Sequence, residues 1–152
     1  MLCDEAKSGL SIQSAQEQLI FIAAHIPVAI AHVAQEGAER RYRFVNQRYA
    51  ELYGRTAEDV VGKHPRSVLG EDVYARASTS MDRCIAGETV EFELDLDARG
   101  ETQIVHVRYV PDRDTTGAVT GFLGVITDVT DLRRLQRELE QLCRARSNDP
   151  GN

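Results

Sequence analysis

The stretch at residues 42–62, YRFVNQRYAELYGRTAEDVVG, constrains the fold more than any other. Tyr42, Arg43, Phe44 and Val45 read as a short strand that breaks at Asn46, whose side chain competes for backbone bonds and caps helices well. Tyr49, Leu52 and Tyr53 then fall at helical spacing and face one side, and Gly54 ends that helix. Thr56, Ala57, Glu58 and Asp59 form a variant capping box, with Asp in place of the usual Glu. Val60 and Val61 follow, and Gly62 closes the unit. A strand thus hands the chain to two very short helices with almost no linker. Such helices bury little by themselves, so the rest of the chain must supply a sheet for them to lie across.

Residues 27–34 (PVAIAHVA) read as a first strand, and residues 35–41 as a polar turn around Gly37. Arg40, Arg41 and Arg43 make a local basic patch that fits a solvated hairpin end. Residues 63–70, with Pro65 and Gly70, form a tight turn or a single helical turn. Residues 71–86 read as a longer helix with Val73, Ala77, Met81 and Ile85 on one stripe, and Gly87 takes the C-cap place. Three strands close the domain. Residues 88–97 alternate, with Val90, Phe92, Leu94 and Leu96 on one face and Glu91, Glu93, Asp95 and Asp97 on the other. Residues 101–111 place Val105, Val107 and Tyr109 on one face and Ile104, His106, Arg108 and Val110 on the other. Residues 118–129 are apolar on both faces, which suits a central strand. The expectation is an α+β fold: one five-stranded antiparallel sheet, short helices on one face, and the N-terminal helix over part of the other.

Both flanks are helical. Ile12, Ala15, Leu19, Ile22 and Ile26 recur at heptad spacing, a stripe that suits packing on the sheet or on a second copy. Phe21 and Ala24 widen it. Leu132, Leu135, Leu139 and Leu142 form an a/d seam after residue 130, where Thr130 is a candidate cap. The seam is marginal as an isolated coiled coil, so it fits a dimer contact or the start of a longer signalling helix. The division is then residues 1–26 as a flanking helix, 27–129 as the domain, 130–146 as the exit helix and 147–152 as a disordered tail.

At 152 residues the chain supports one domain without staples. Its net charge of −6 argues against nucleic acid or an anionic membrane as partner. No apolar run spans a bilayer and no signal peptide opens the chain. Cys3, Cys84 and Cys143 lack disulfide or zinc spacing. A cytoplasmic setting and no metal site follow as expectations.

The order of these motifs resembles the PAS domain: Phe44-Val45-Asn46, the helix from Tyr49 to Gly54, Glu58-Asp59, Gly62-Lys63, and later Pro111, Gly117, Gly121, Gly124 and Asp128-Val129-Thr130. The last of these is similar to the family's Asp-Ile-Thr signature, with Val129 for Ile. The resemblance covers residues 26–132 or so and implies the strand order 2-1-5-4-3. It also implies a pocket between sheet and helices, lined by Tyr49, Leu52, Val73, Ala77, Met81, Phe92, Leu94, Val107, Tyr109, Phe122, Gly124 and Ile126. That lining suits a small apolar or aromatic ligand, and the same side chains equally make an ordinary closed core. Asp128, tethering the strand end, and Thr130, capping the helix, are the expected coupling joint.

The cofactor stays unknown. The flavin-binding branch of the family carries a reactive Cys where Pro65 stands and a Gln where Ile126 stands, and neither residue can replace them. The haem-binding branch uses a His on the longer helix, which has none here, and CxxCH is absent. Both groups are therefore disfavoured. His25 and His32 read as structural; His106 and Arg108, by resemblance, face away from the pocket. Cys84 reads as semi-buried, inert packing. Ser78 and Ser80 lack His or Asp partners, and no phosphate-cradling loop exists, so no catalytic constellation is present. The resemblance implies a sensory and dimerisation module of bacterial-type signal transduction, a homodimer acting on an output domain or partner protein, such as a histidine kinase or diguanylate cyclase. A haem- or flavin-bearing sensor of redox, gas or light, and a ligand-free structural adaptor, are the alternatives.

Overall fold

A computed structural model describes residues 12–25, 28–98 and 100–147. In chain order the elements are α1 (Ile12–His25), β1 (Ala29–Glu36), β2 (Glu39–Val45), α2 (Gln47–Leu52), α3 (Ala57–Val60), α4 (Pro65–Leu69), α5 (Glu71–Ile85), β3 (Val90–Ala98), β4 (Glu101–Arg113), β5 (Val119–Asp128) and α6 (Thr130–Ser147). The five strands form one antiparallel sheet in the order β2-β1-β5-β4-β3. This is the expected architecture, with β5 central.

Asn46 organises the turn from sheet to helix. Its Oδ1 accepts from the Tyr49 N–H at 3.0 Å, capping α2, and from the Ile30 N–H of β1 at 3.0 Å. Its Nδ2 donates to the Val28 carbonyl at 2.7 Å. The side chain is almost fully buried, so these bonds also satisfy an amide that burial would otherwise penalise. Thr56 caps α3 through the Asp59 N–H at 3.3 Å, the Thr half of the expected capping box. The chain then returns to β2: the Gly62 N–H donates to the Tyr42 carbonyl at 2.8 Å and the Tyr42 N–H to the Lys63 carbonyl at 3.0 Å. These bonds cover part of an edge that would otherwise be open, and Gly62 makes the return at φ +89°.

The inner face of the sheet carries Ala29, Ala31, Val33, Tyr42, Val45, Val90, Leu96, Val105, Val107, Tyr109, Phe122 and Ile126, all buried. Helix α2 lies on β1, and α5 lies across β3, β4 and β5. Gly124 leaves room for Tyr109: a Cβ there would sit 3.3 Å from the ring, tighter than usual contact. Gly121 is stricter, since a Cβ would come 2.2 Å from the Val33 carbonyl oxygen.

Several local expectations are corrected. Strands β1 and β2 reach further into the hairpin, because Gln35 and Glu36 pair with Arg40 and Glu39. Gly37 at φ +61° closes the turn tightly, so polar side chains sit on paired backbone. Arg40 is not part of a solvated patch. It shares the inner side of β2 with Tyr42, is 8% exposed, and donates to Gln35 at 2.7 Å and to Asp82 of α5. Arg41 and Arg43 do lie outside, beside Glu39 and Glu36. Cys84 is fully buried rather than semi-buried, because α5 turns Ala77, Met81 and Cys84 inward. On α1, Ala15, Leu19 and Ile22 are exposed, so these positions of the stripe are not buried on the sheet. The side chains of Ile12, Ala24 and His25 and all of Cys3, Ile26 and Pro27 lie outside the described residues.

Candidate functional site

The residues singled out in the sequence fall in two regions: the interior between sheet and helices, and the root of α6. In the interior the structure brings all eleven of the pocket positions other than Gly124 into one cluster. Tyr49, Ala77, Met81, Val107, Tyr109, Phe122 and Ile126 are buried in it, and Leu52, Val73, Phe92 and Leu94 pack against it half-buried. Gly124 lies buried beneath Tyr109.

The centre of this cluster is aromatic. Tyr49 lies 5.6 Å from Tyr42 and 5.2 Å from Tyr53 between ring centroids. Tyr109 lies 4.8 Å from Phe122 and 5.4 Å from Phe92. The hydroxyls of Tyr42 and Tyr49 are 2.6 Å apart in a buried hydrogen bond. Burial pushes all four phenols, Tyr42, Tyr49, Tyr53 and Tyr109, well above the usual tyrosine range. Burial likewise pushes the Cys84 thiol up to about 11, so it stays protonated and a poor nucleophile. The interior therefore offers neutral hydroxyls and aromatic faces. Tyr53 was legible only as one of the residues on the inward side of its helix, and Tyr42 only as part of a strand. Their hydroxyl chemistry depends on a strand and a helix meeting, which no local spacing reveals.

The residues present do not fit the family's two familiar cofactors. Pro65 is buried as the first residue of α4, where a flavin adduct needs a thiol. Ile126 offers the interior only hydrocarbon. No histidine lies on α5. His64 instead caps α4, its Nδ1 accepting from the Arg66 N–H at 3.0 Å, with its ring 5.4 Å from Tyr74. His32 pairs with Asp112 at 2.9 Å, and His106 alternates with buried Val105 and Val107 and so faces outward, as does Arg108. Ser78 hydrogen-bonds the Ala75 carbonyl of its own helix at 3.2 Å. Among the described residues no three His, Cys, Asp or Glu side chains are set to hold a metal ion, and no helix is long and apolar enough to cross a membrane.

At the second region β5 passes directly into α6. The Asp128 carboxylate accepts from the Thr130 N–H at 2.9 Å and from its hydroxyl at 2.5 Å. The Thr130 Oγ1 accepts from the Ile104 N–H of β4 at 2.9 Å, and the Val129 N–H donates to the Ile104 carbonyl at 2.9 Å. The roles thus differ from the expected ones: Asp128 serves the first helical N–H, and the Thr130 hydroxyl ties the helix to β4. One turn on, Arg133 donates to Glu93 of β3, its Nε at 2.8 Å. That hydrogen bond holds the Glu93 carboxyl below its usual range. Beyond this root α6 has no buried residue, and Leu132, Leu135, Leu139 and Leu142 are 52–64% exposed.

A sheet in this order, with short helices over one face and an exit helix bonded back to β4, defines the PAS class of fold. A family profile described as PAS fold matches residues 23–134, and the chain belongs to that family. It is 29% identical over 127 residues to the sensor protein kinase WalK of Staphylococcus aureus (strain Newman), covering 83% of this chain and 19% of WalK. The chain thus spans about a fifth of the length of that relative. The PAS domain of BvgS from Bordetella pertussis is similar in structure, with a TM-score of 0.62 and 26% identity over 86% of this chain and 98% of that one. An RNA-binding light-oxygen-voltage receptor superposes with a TM-score of 0.71 at 23% identity, covering 95% of this chain and 41% of the receptor. That likeness speaks for the fold alone. The chain is thus a PAS-fold module similar to a segment of a signal-transducing sensor kinase.

Proposed function

We propose that this chain is a cytoplasmic sensory and dimerisation module, without catalysis of its own, that drives an output domain or partner protein through α6. In this reading residues 27–129 sense, residues 130–146 transmit, and residues 1–26 flank the module. The single observation that carries it is the exit helix. It is bonded at its root to β4 and β3, while four leucines at a/d spacing stand in solvent beyond. An exposed leucine seam of this kind is satisfied by pairing with a second copy, and a helix fixed at one end converts a change in the domain into a change of angle or register. A small neutral apolar or aromatic ligand between Tyr49 and Tyr109, or contact with a partner protein, is the input.

Sedimentation of the full chain and of Leu135→Asp tests this. The wild type should run as a dimer, and the variant should fall to a monomer with the fold retained. A wild type that stays monomeric at every concentration, or a variant that still dimerises through α6, counts against it. A second reading, a structural adaptor with no ligand, draws support from the Tyr42–Tyr49 hydroxyl bond, which closes the interior on itself.

A further inference from the structure

We propose that edge strand β3 is a second input to the exit helix, acting through the Glu93–Arg133 ion pair independently of the Asp128–Thr130 joint. The inference rests on the reading of α6 as the transmitting element.

Along β3, side chains alternate between two jobs. Phe92 and Leu94 point inward, half-buried against the core, with Phe92 edge-on to Tyr109 at 5.4 Å. Glu93, between them, points outward and takes two N–H groups of Arg133. A shift of the β3 backbone at Phe92 or Leu94 carries Glu93 with it, because the three are consecutive or alternate residues of one extended strand. Helix α6 is positioned to register that movement. It leaves β5, is bonded to Ile104 of β4 at its first residue, and reaches β3 one turn later through Arg133. The Arg133 guanidinium is also held by Gln136 at 2.6 Å, within the same helix.

Strand β3 is also an edge of the sheet. It pairs with β4 alone, and a side chain, Arg76 of α5, reaches its Asp95 carbonyl at 3.2 Å. The charges around the pair do not replace it. Arg108 of β4 is turned to Glu91, at 3.6 Å, and His106 stands across the ladder from Glu93. Among the described residues, Arg133 thus joins the strand to the helix by an ion pair. The pair is partly exposed, at 37% and 32% for the two side chains, so it is weak enough to be opened by a modest strand shift.

The test is hydrogen exchange of the α6 amides in the full chain, with sedimentation of the same samples. Arg133→Gln should speed exchange over residues 131–139 by roughly two- to fivefold, the range an exposed ion pair supports. The charge swap, Glu93→Arg with Arg133→Glu, should restore the slower rate. Phe92→Leu and Leu94→Ala, two separate perturbations of the inner side of β3, should speed α6 exchange when Arg133 is present and add nothing once it is Gln. If both perturbations act equally with and without Arg133, or neither moves α6, the proposal is overturned. A monomeric protein that still shows the Arg133-dependent coupling would sink the dimer reading and keep the latch. An intact dimer with additive effects would do the reverse.

Discussion

The amide of Asn46 accepts from two backbone N–H groups and donates to a third residue's carbonyl, all from a buried site. Asn46→Ala removes the α2 cap and orphans the Ile30 N–H at once, and is expected to cost about 2–4 kcal/mol of stability in urea denaturation. His64 has a comparable local role with a different sensitivity. Its Nδ1 is an acceptor only while the imidazole is neutral. Burial first, then the charges of Arg66, Arg40 and Arg41, hold its protonation below the usual histidine range. A folded-state value below the unfolded one means stability that is complete above about pH 6.5 and lost as pH falls through the folded value. The melting temperature should therefore fall as the pH is taken below about 6.5. His64→Asn, which caps without titrating, should show a flatter profile over the same window.

At the scale of elements, the root of α6 is where removal of one side chain should be felt along a whole helix. Asp128→Ala strips the acceptor from the Thr130 N–H and hydroxyl. The fold should stay intact while hydrogen exchange quickens through residues 132–142, and an unchanged rate there would refute the role. Elements with strong period-2 or helical spacing were legible in the sequence: the alternation from Val90 to Leu96 reappears as buried and exposed faces of β3, and Ala77 and Met81 as the inner stripe of α5. The hairpin ends were less so, because Gln35 and Glu36 have no apolar pattern and are held by backbone pairing that composition does not report. Arg40 was misplaced for a related reason. Extending the alternation of β2 back from Tyr42 would have turned it inward, but its charge argued for solvent until Asp82 of a distant helix supplied a partner. The Glu93–Arg133 pair spans forty residues of chain and has no signature in either segment.

The whole molecule combines a buried aromatic cluster with leucines left in water on α6 and, on α1, Leu19 and Ile22 exposed beside Phe21. That distribution suits a domain whose information leaves by its helices. Native mass spectrometry and an absorption spectrum of freshly purified protein address the interior. A colourless protein of bare chain mass favours the adaptor reading, whereas a bound mass released on denaturation favours a neutral ligand among the tyrosines. The aromatic interior also has an optical consequence. The chain has no tryptophan and five tyrosines, and four of the five phenols are kept from ionising by burial in the folded state. Raised folded-state values make their contribution to stability complete below about pH 10 and lost as pH rises further. Phenolate absorbance from these four rings will appear only as the sheet and helices separate, so the protein carries, in its own near-ultraviolet spectrum, a reporter of its unfolding that needs no label.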